Sequence, residues 1–122
     1  MILIPYDFTS EGDVALDHGC RLAANFRYPV CILHVINRDS RNLQKKEELS
    51  SEELKGKINK KIQAYCGDCK LDYEIILKEG SIFYTINELA EKKGAKLVVM
   101  ATHGKKGIQY LTGSNILKII TD

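Results

Sequence analysis

The sequence predicts an α/β protein: a doubly wound parallel sheet with helices on both faces. Two observations carry this. Residues 1–5, 30–36 and 96–101 form short, continuous apolar runs, too hydrophobic for strands with a face in water. Between them lie segments whose apolar residues recur at helical spacing. The elements therefore read βαβαβαβα, and right-handed crossovers wind such an order into one sheet.

Each element has its own signal. The first apolar run ends at Pro5. Tyr6-Asp7-Phe8-Thr9-Ser10 is rich in helix-capping residues, and Thr9 or Ser10 can cap a helix carrying Val14, Leu16, Cys20, Leu22, Ala23 and Phe26. Glu11 and Asp13 suit the positive end of its macrodipole, whereas Gly12 and Gly19 weaken it, so packing must hold it. Tyr28-Pro29 restarts the chain into the second apolar strand. Residues 37–48 are polar and charged and read as a flexible connection or lid. Leu54, Ile58, Ile62 and Tyr65 then mark a surface helix packed by one stripe.

Leu71, Tyr73, Ile75 and Leu77 alternate with Asp72 and Glu74, the pattern of a half-exposed strand at a sheet edge. Ser81 is the expected cap of a third helix burying Ile82, Ile86, Leu89 and Ala90, with Gly94 as its C-terminal glycine. Ile116, Leu117, Ile119 and Ile120 are expected on a last helix that stops at Asp122. An edge position for residues 71–77, with the apolar strands inside, gives the strand order 3-2-1-4. That order leaves the apolar strand at residues 97–101 on the opposite edge, where it invites pairing. The expectation is one domain over residues 1–122, truncated at its C-terminus, with a fifth strand missing.

Composition narrows the function classes. With 122 residues, 44% hydrophobic and 28% charged, the chain has the balance of an ordinary globular protein. A net charge of +2 gives no reason to expect nucleic-acid binding. No apolar run reaches membrane-spanning length, and the opening residues lack the pattern of a secretory signal; a cytoplasmic protein is expected. Cys20 and Cys31 fall in apolar patterns and read as buried hydrophobes. Cys66-Gly67-Asp68-Cys69 has C-x-x-C spacing but no companion ligand pair for zinc, and reads as a reduced turn.

Ligands of an open doubly wound sheet bind beyond the strand C-termini, where the strand order reverses. That crevice brings Pro5-Tyr6-Asp7 beside Met100-Ala101-Thr102-His103-Gly104, with His34-Val35-Ile36 close by. Asp7 can accept hydrogen bonds from a base or ribose, and Val35 can pack on a base. The backbone at Gly104, Gly113, Ser114 and Asn115 can hold phosphates at a helix start, with Lys105 and Lys106 nearby. An acidic residue ahead of a helix also serves simply as a turn or cap residue, so both roles stand for Asp7. His103 reads as a loop anchor, because no nucleophile with an assignable base surrounds it. His34 and His18 read as packing or surface residues. The P-loop and dinucleotide fingerprints are both absent.

These residues resemble the universal stress protein family along the whole chain. The likeness rests on Ile2-Leu3-Ile4-Pro5-Tyr6-Asp7-Phe8-Thr9, on Leu33-His34-Val35-Ile36, and on the block from Val98 to Asn115. Nucleotide-binding members of that family carry a Gly, two residues, Gly, nine residues, then Gly and Ser or Thr. The resemblance implies that Pro5, Asp7 and Val35 surround base and ribose, and that Gly104, Gly113, Ser114 and Asn115 contact phosphate. Two features depart from the motif: Ala101 stands at its first glycine, and eight residues, Lys105 through Thr112, separate Gly104 from Gly113. The family's fifth strand, often used for dimerisation, has no counterpart in this reading.

The function expected is a stress-response protein binding ATP or a related adenine nucleotide, with or without Mg²⁺, as a conformational or signalling ligand. Its partners would be that nucleotide and, through a C-terminal strand, a second copy. The alternative is an interaction or dimerisation module of the same fold without nucleotide. At most slow hydrolysis accompanies the leading reading; a genuine nucleotide hydrolase ranks last, because the sequence offers no convincing general base.

Overall fold

The computed structural model describes residues 1–36, 50–67, 70–101 and 108–111, with Ala101 and residues 108–111 described as backbone only. Strands β1 (Ile2–Pro5), β2 (Val30–Ile36), β3 (Tyr73–Glu79), β4 (Leu97–Ala101) and β5 (Ile108–Leu111) form one sheet in the order 3-2-1-4-5. Strands β1 to β4 run parallel, and β5 joins β4 antiparallel. Helices α1 (Ser10–Phe26), α2 (Ser51–Cys66) and α3 (Ile82–Lys93) alternate with the parallel strands.

The two faces of the sheet are separate cores. On one, Ile2, Ile4, Tyr6, Val30, Ile32 and Val99 pack with Leu16, Cys20 and Ala23 of α1 and Ile58 and Ile62 of α2. On the other, Leu3, Cys31, Leu33, Val35, Val98 and Met100 pack with Ile86, Leu89 and Ala90 of α3. The period-two alternation of each strand sorts its residues between these cores, which is why the strands are apolar on both faces. Gly19 lets α1 lie close to the sheet: a Cβ there would stand 2.6 Å from Cδ1 of Ile4 and 3.5 Å from Cβ of Val99. Close packing thus holds a helix that its glycines weaken.

The helix ends follow the sequence signals, with one exception. Thr9 Oγ1 accepts from the Gly12 amide, and Ser50 Oγ accepts from the Glu53 amide. Gly94 takes the left-handed conformation (φ 64°) and its amide bonds back into the last turn of α3. Ser81 does stand at the start of α3, but its side chain makes no cap hydrogen bond. Its carbonyl instead accepts from the Thr85 amide and hydroxyl.

Two expectations are corrected. The edge of β4 is covered, because β5 pairs along it from Val98↔Leu111 to Ala101↔Ile108. Residues 108–111, expected inside a loop, hold β-favouring Ile108 and Tyr110, and a strand there satisfies the backbone groups that an apolar edge would leave open. Cys66, expected to be reduced, is disulfide-bonded, whereas Cys20 and Cys31 are free and buried. C-x-x-C spacing is compatible with either oxidation state, so sequence alone does not decide it. The lid at 37–48, Cys69 and the helix expected at 116–120 lie outside the described residues.

Candidate functional site

The strand order reverses at β1, which has β2 on one side and β4 on the other. Pro5 closes β1, and the parallel ladder runs one residue further through the Tyr6 amide, which donates to the Leu33 carbonyl (2.8 Å). Pro5, two residues on from Leu3, shares the α3 face of the sheet with Val35 and Met100. Val35 and Met100 are each 8% exposed, so they form an apolar wall at the strand C-termini.

Tyr6 turns the other way. Its ring lies in the core beneath α1 and α2, and its hydroxyl donates to Asp13. The second Asp13 oxygen accepts from Nζ of Lys61 on α2 (3.1 Å). Burial first, and then the bond to Asp13, push the Tyr6 phenol far above its ordinary range. The separate bond from Lys61 to Asp13 raises the Lys61 ammonium. Tyr6 therefore braces the chain below the crevice rather than offering its hydroxyl to it.

Asp7 is exposed at the head of the β1–α1 turn. Its Oδ1 accepts from the Thr9 amide (3.1 Å) and the Thr9 hydroxyl (2.5 Å), and Thr9 Oγ1 accepts in turn from the Gly12 amide (3.0 Å). Gly12 is needed for this chain of contacts: a Cβ there would fall 2.5 Å from Asp7 Oδ1. Both sequence roles of Asp7 are compatible in one geometry, since it organises the turn and remains exposed.

Sequence reasoning understated His34. It is 7% exposed, its Nδ1 lies 2.8 Å from the Tyr6 carbonyl, and its ring meets Phe8 edge-on at 4.9 Å. Burial lowers its pKa, opposed by the Tyr6 carbonyl and Asp7. Phe8 holds φ 63°, an uncommon value for a bulky residue. The missed signal was the ring contact between Phe8 in the turn and His34 on β2, which joins residues far apart in sequence.

Of the β4 residues, Ala101 ends the strand opposite Ile108, so both flanks of residues 102–107 stand at the crevice end of the sheet. His103 and Gly104 fall within that stretch and, like Gly113, Ser114 and Asn115, lie outside the described residues. Among the described residues, no group of three or more His, Cys, Asp or Glu side chains could hold a metal ion, and no helix is long and apolar enough to cross a membrane.

A sheet of order 3-2-1-4 with an acidic turn at its switch point defines a class of α/β domain with a ligand crevice between the first and fourth strands. The family model described as the universal stress protein family matches residues 1–121, and the chain belongs to that family. Solved structures agree on the fold. Universal stress protein UspA from Lactobacillus plantarum superposes with a TM-score of 0.67 at 15% identity, over 93% of this chain and 84% of that one. The protein MJ0577 gives 0.62 at 27% identity, over 85% and 75%. A universal stress protein in complex with cAMP gives 0.59 at 16% identity, over 80% and 68%. No curated protein matches the chain in sequence.

Proposed function

We propose that this universal stress protein binds ATP or a related adenine nucleotide in the crevice between β1 and β4. One observation carries the reading: an exposed carboxylate, Asp7, held by Thr9 just beyond β1, with the apolar Pro5, Val35 and Met100 on one sheet face near the same strand ends, where they would form a wall. A purine needs both parts, an apolar surface for its face and acceptors for its amino group or the ribose hydroxyls. Asp7 would accept from base or ribose and Val35 would pack on the base. Gly104, Gly113, Ser114 and Asn115 would hold phosphates, with or without Mg²⁺. A fold relative that holds cAMP makes an adenine ligand the natural first probe. The nucleotide acts as a conformational or signalling ligand of a cytoplasmic protein that pairs with a second copy.

Nucleotide extraction from the purified protein, with its melting temperature measured in Mg-ATP, tests this. A co-purifying adenine nucleotide, or a melting temperature that rises with Mg-ATP, is expected. Neither result would leave the alternative, an interaction module without nucleotide, which Ala101 at the first glycine position of the motif favours.

A further inference from the structure

We infer that His34 is the positioning residue of this site: it holds the β1–α1 turn from below and so sets where the Asp7 carboxylate stands. The part of the inference that concerns ligand affinity rests on the nucleotide reading above; the part that concerns the turn does not.

The turn needs an external hold. Residues 6–9 leave the sheet after Pro5 and must reach the start of α1 while Phe8 keeps φ 63°. A bulky residue at positive φ is strained and persists only where its surroundings fix it. His34 supplies two such contacts from β2. Its Nδ1 is 2.8 Å from the Tyr6 carbonyl, and since a carbonyl only accepts, Nδ1 carries the proton and donates. Its ring also meets Phe8 at 4.9 Å and 83°, while Phe8 meets Tyr6 at 4.9 Å and 62°. Asp7 lies between the two residues that His34 touches. Tyr6 is held as well at its amide by Leu33 and at its hydroxyl by Asp13. Phe8 packs in addition against the core beneath α1 and α2. His34 joins a polar bond to Tyr6 and a ring contact to Phe8, and so touches the turn on both sides of Asp7.

Three measurements on the whole chain test this. Nitrogen-15 NMR of the wild type is expected to show His34 as the neutral Nδ1–H tautomer. Hydrogen exchange is then compared in His34→Leu, which keeps bulk but cannot donate, and His34→Asn, whose amide can reach toward the same carbonyl. Ile58→Val, a core truncation under α2, sets the baseline for a loss of stability alone. The amides of Thr9 and Gly12 should exchange about tenfold faster in His34→Leu than in Ile58→Val, the effect of one lost buried hydrogen bond, with His34→Asn close to wild type. The Mg-ATP dissociation constant should rise by about the same factor in His34→Leu only. An Nε2–H tautomer, Thr9 and Gly12 exchange no faster in His34→Leu than in the baseline, or an unchanged dissociation constant would each overturn the inference. If the wild type binds no Mg-ATP, the nucleotide reading fails, while tautomer and exchange still decide whether His34 holds the turn.

Discussion

The two walls proposed for the crevice are built on opposite terms. The β1–α1 turn is held by named polar contacts: Asp7 to Thr9, Thr9 to Gly12, and His34 to Tyr6. The β4 side is held by strand pairing, with β5 laid antiparallel along an apolar edge. The first wall depends on particular side chains at particular distances. The second depends on backbone complementarity, which many sequences satisfy. Binding chemistry that needs a fixed carboxylate belongs on the first wall, and tolerance to change is expected on the second.

The largest effect should come from the strand both walls share. Ile4 is fully buried in β1 beneath α1, so Ile4→Ala should cost about 2–5 kcal/mol in urea denaturation and weaken both walls together. Proline at both Gln109 and Tyr110 breaks only the second wall, because amides alternate direction along a strand and one of these two faces β4. It should cost roughly 1–3 kcal/mol and raise self-association in sedimentation as the edge of β4 opens, with Thr9 and Gly12 exchange unchanged. Gly12→Ala acts on the first wall alone. Alanine favours the helix by up to about 1 kcal/mol, so the melting temperature should hold while the displaced Asp7 weakens Mg-ATP binding several-fold.

The smallest effects are linked to pH. Burial lowers the pKa of His34, so the folded state binds its proton less readily than the unfolded chain. The stability this contributes is present above the ordinary histidine pKa of about 6.5 and is lost as pH falls below it. Chemical denaturation between pH 7.5 and 5 should show the decline, and His34→Asn should flatten it. At the alkaline end, burial pushes Cys31 up to about 11 and Cys20 up to about 12. Their contribution is present below the unfolded thiol pKa, about 8.5, and fades as pH rises through the folded values.

The sequence made the parallel part of the fold legible because continuous apolar strands and one-striped helices leave few ways to bury both. Strand order 3-2-1-4 followed from a single contrast, the alternating pattern around Tyr73 and Ile75 against the uniform pattern of Val30–Ile36. The antiparallel β5 was not legible. Ile108 to Leu111 sits in a glycine-spaced basic stretch, and its strand identity depends on an open neighbouring edge that no local window contains. The places of Asp7, Val35 and Met100 at the strand C-termini were readable from the apolar runs. Tyr6 was readable as a neighbour of the crevice but not as a brace, since its bond to Asp13 depends on where α1 lies. His34 was missed as an anchor because its partner is a carbonyl on another strand, invisible to composition or spacing.

The account's central claim is that Asp7 and the apolar wall beside it form an adenine-nucleotide site. Calorimetric titration of Mg-ATP into the wild type and into Asp7→Ala, both shown folded by circular dichroism, tests it most directly. The account predicts saturable one-site binding that weakens at least about tenfold in Asp7→Ala, the scale of a lost hydrogen bond to a charged group. Equal binding by the two proteins, or none by the wild type, would contradict it.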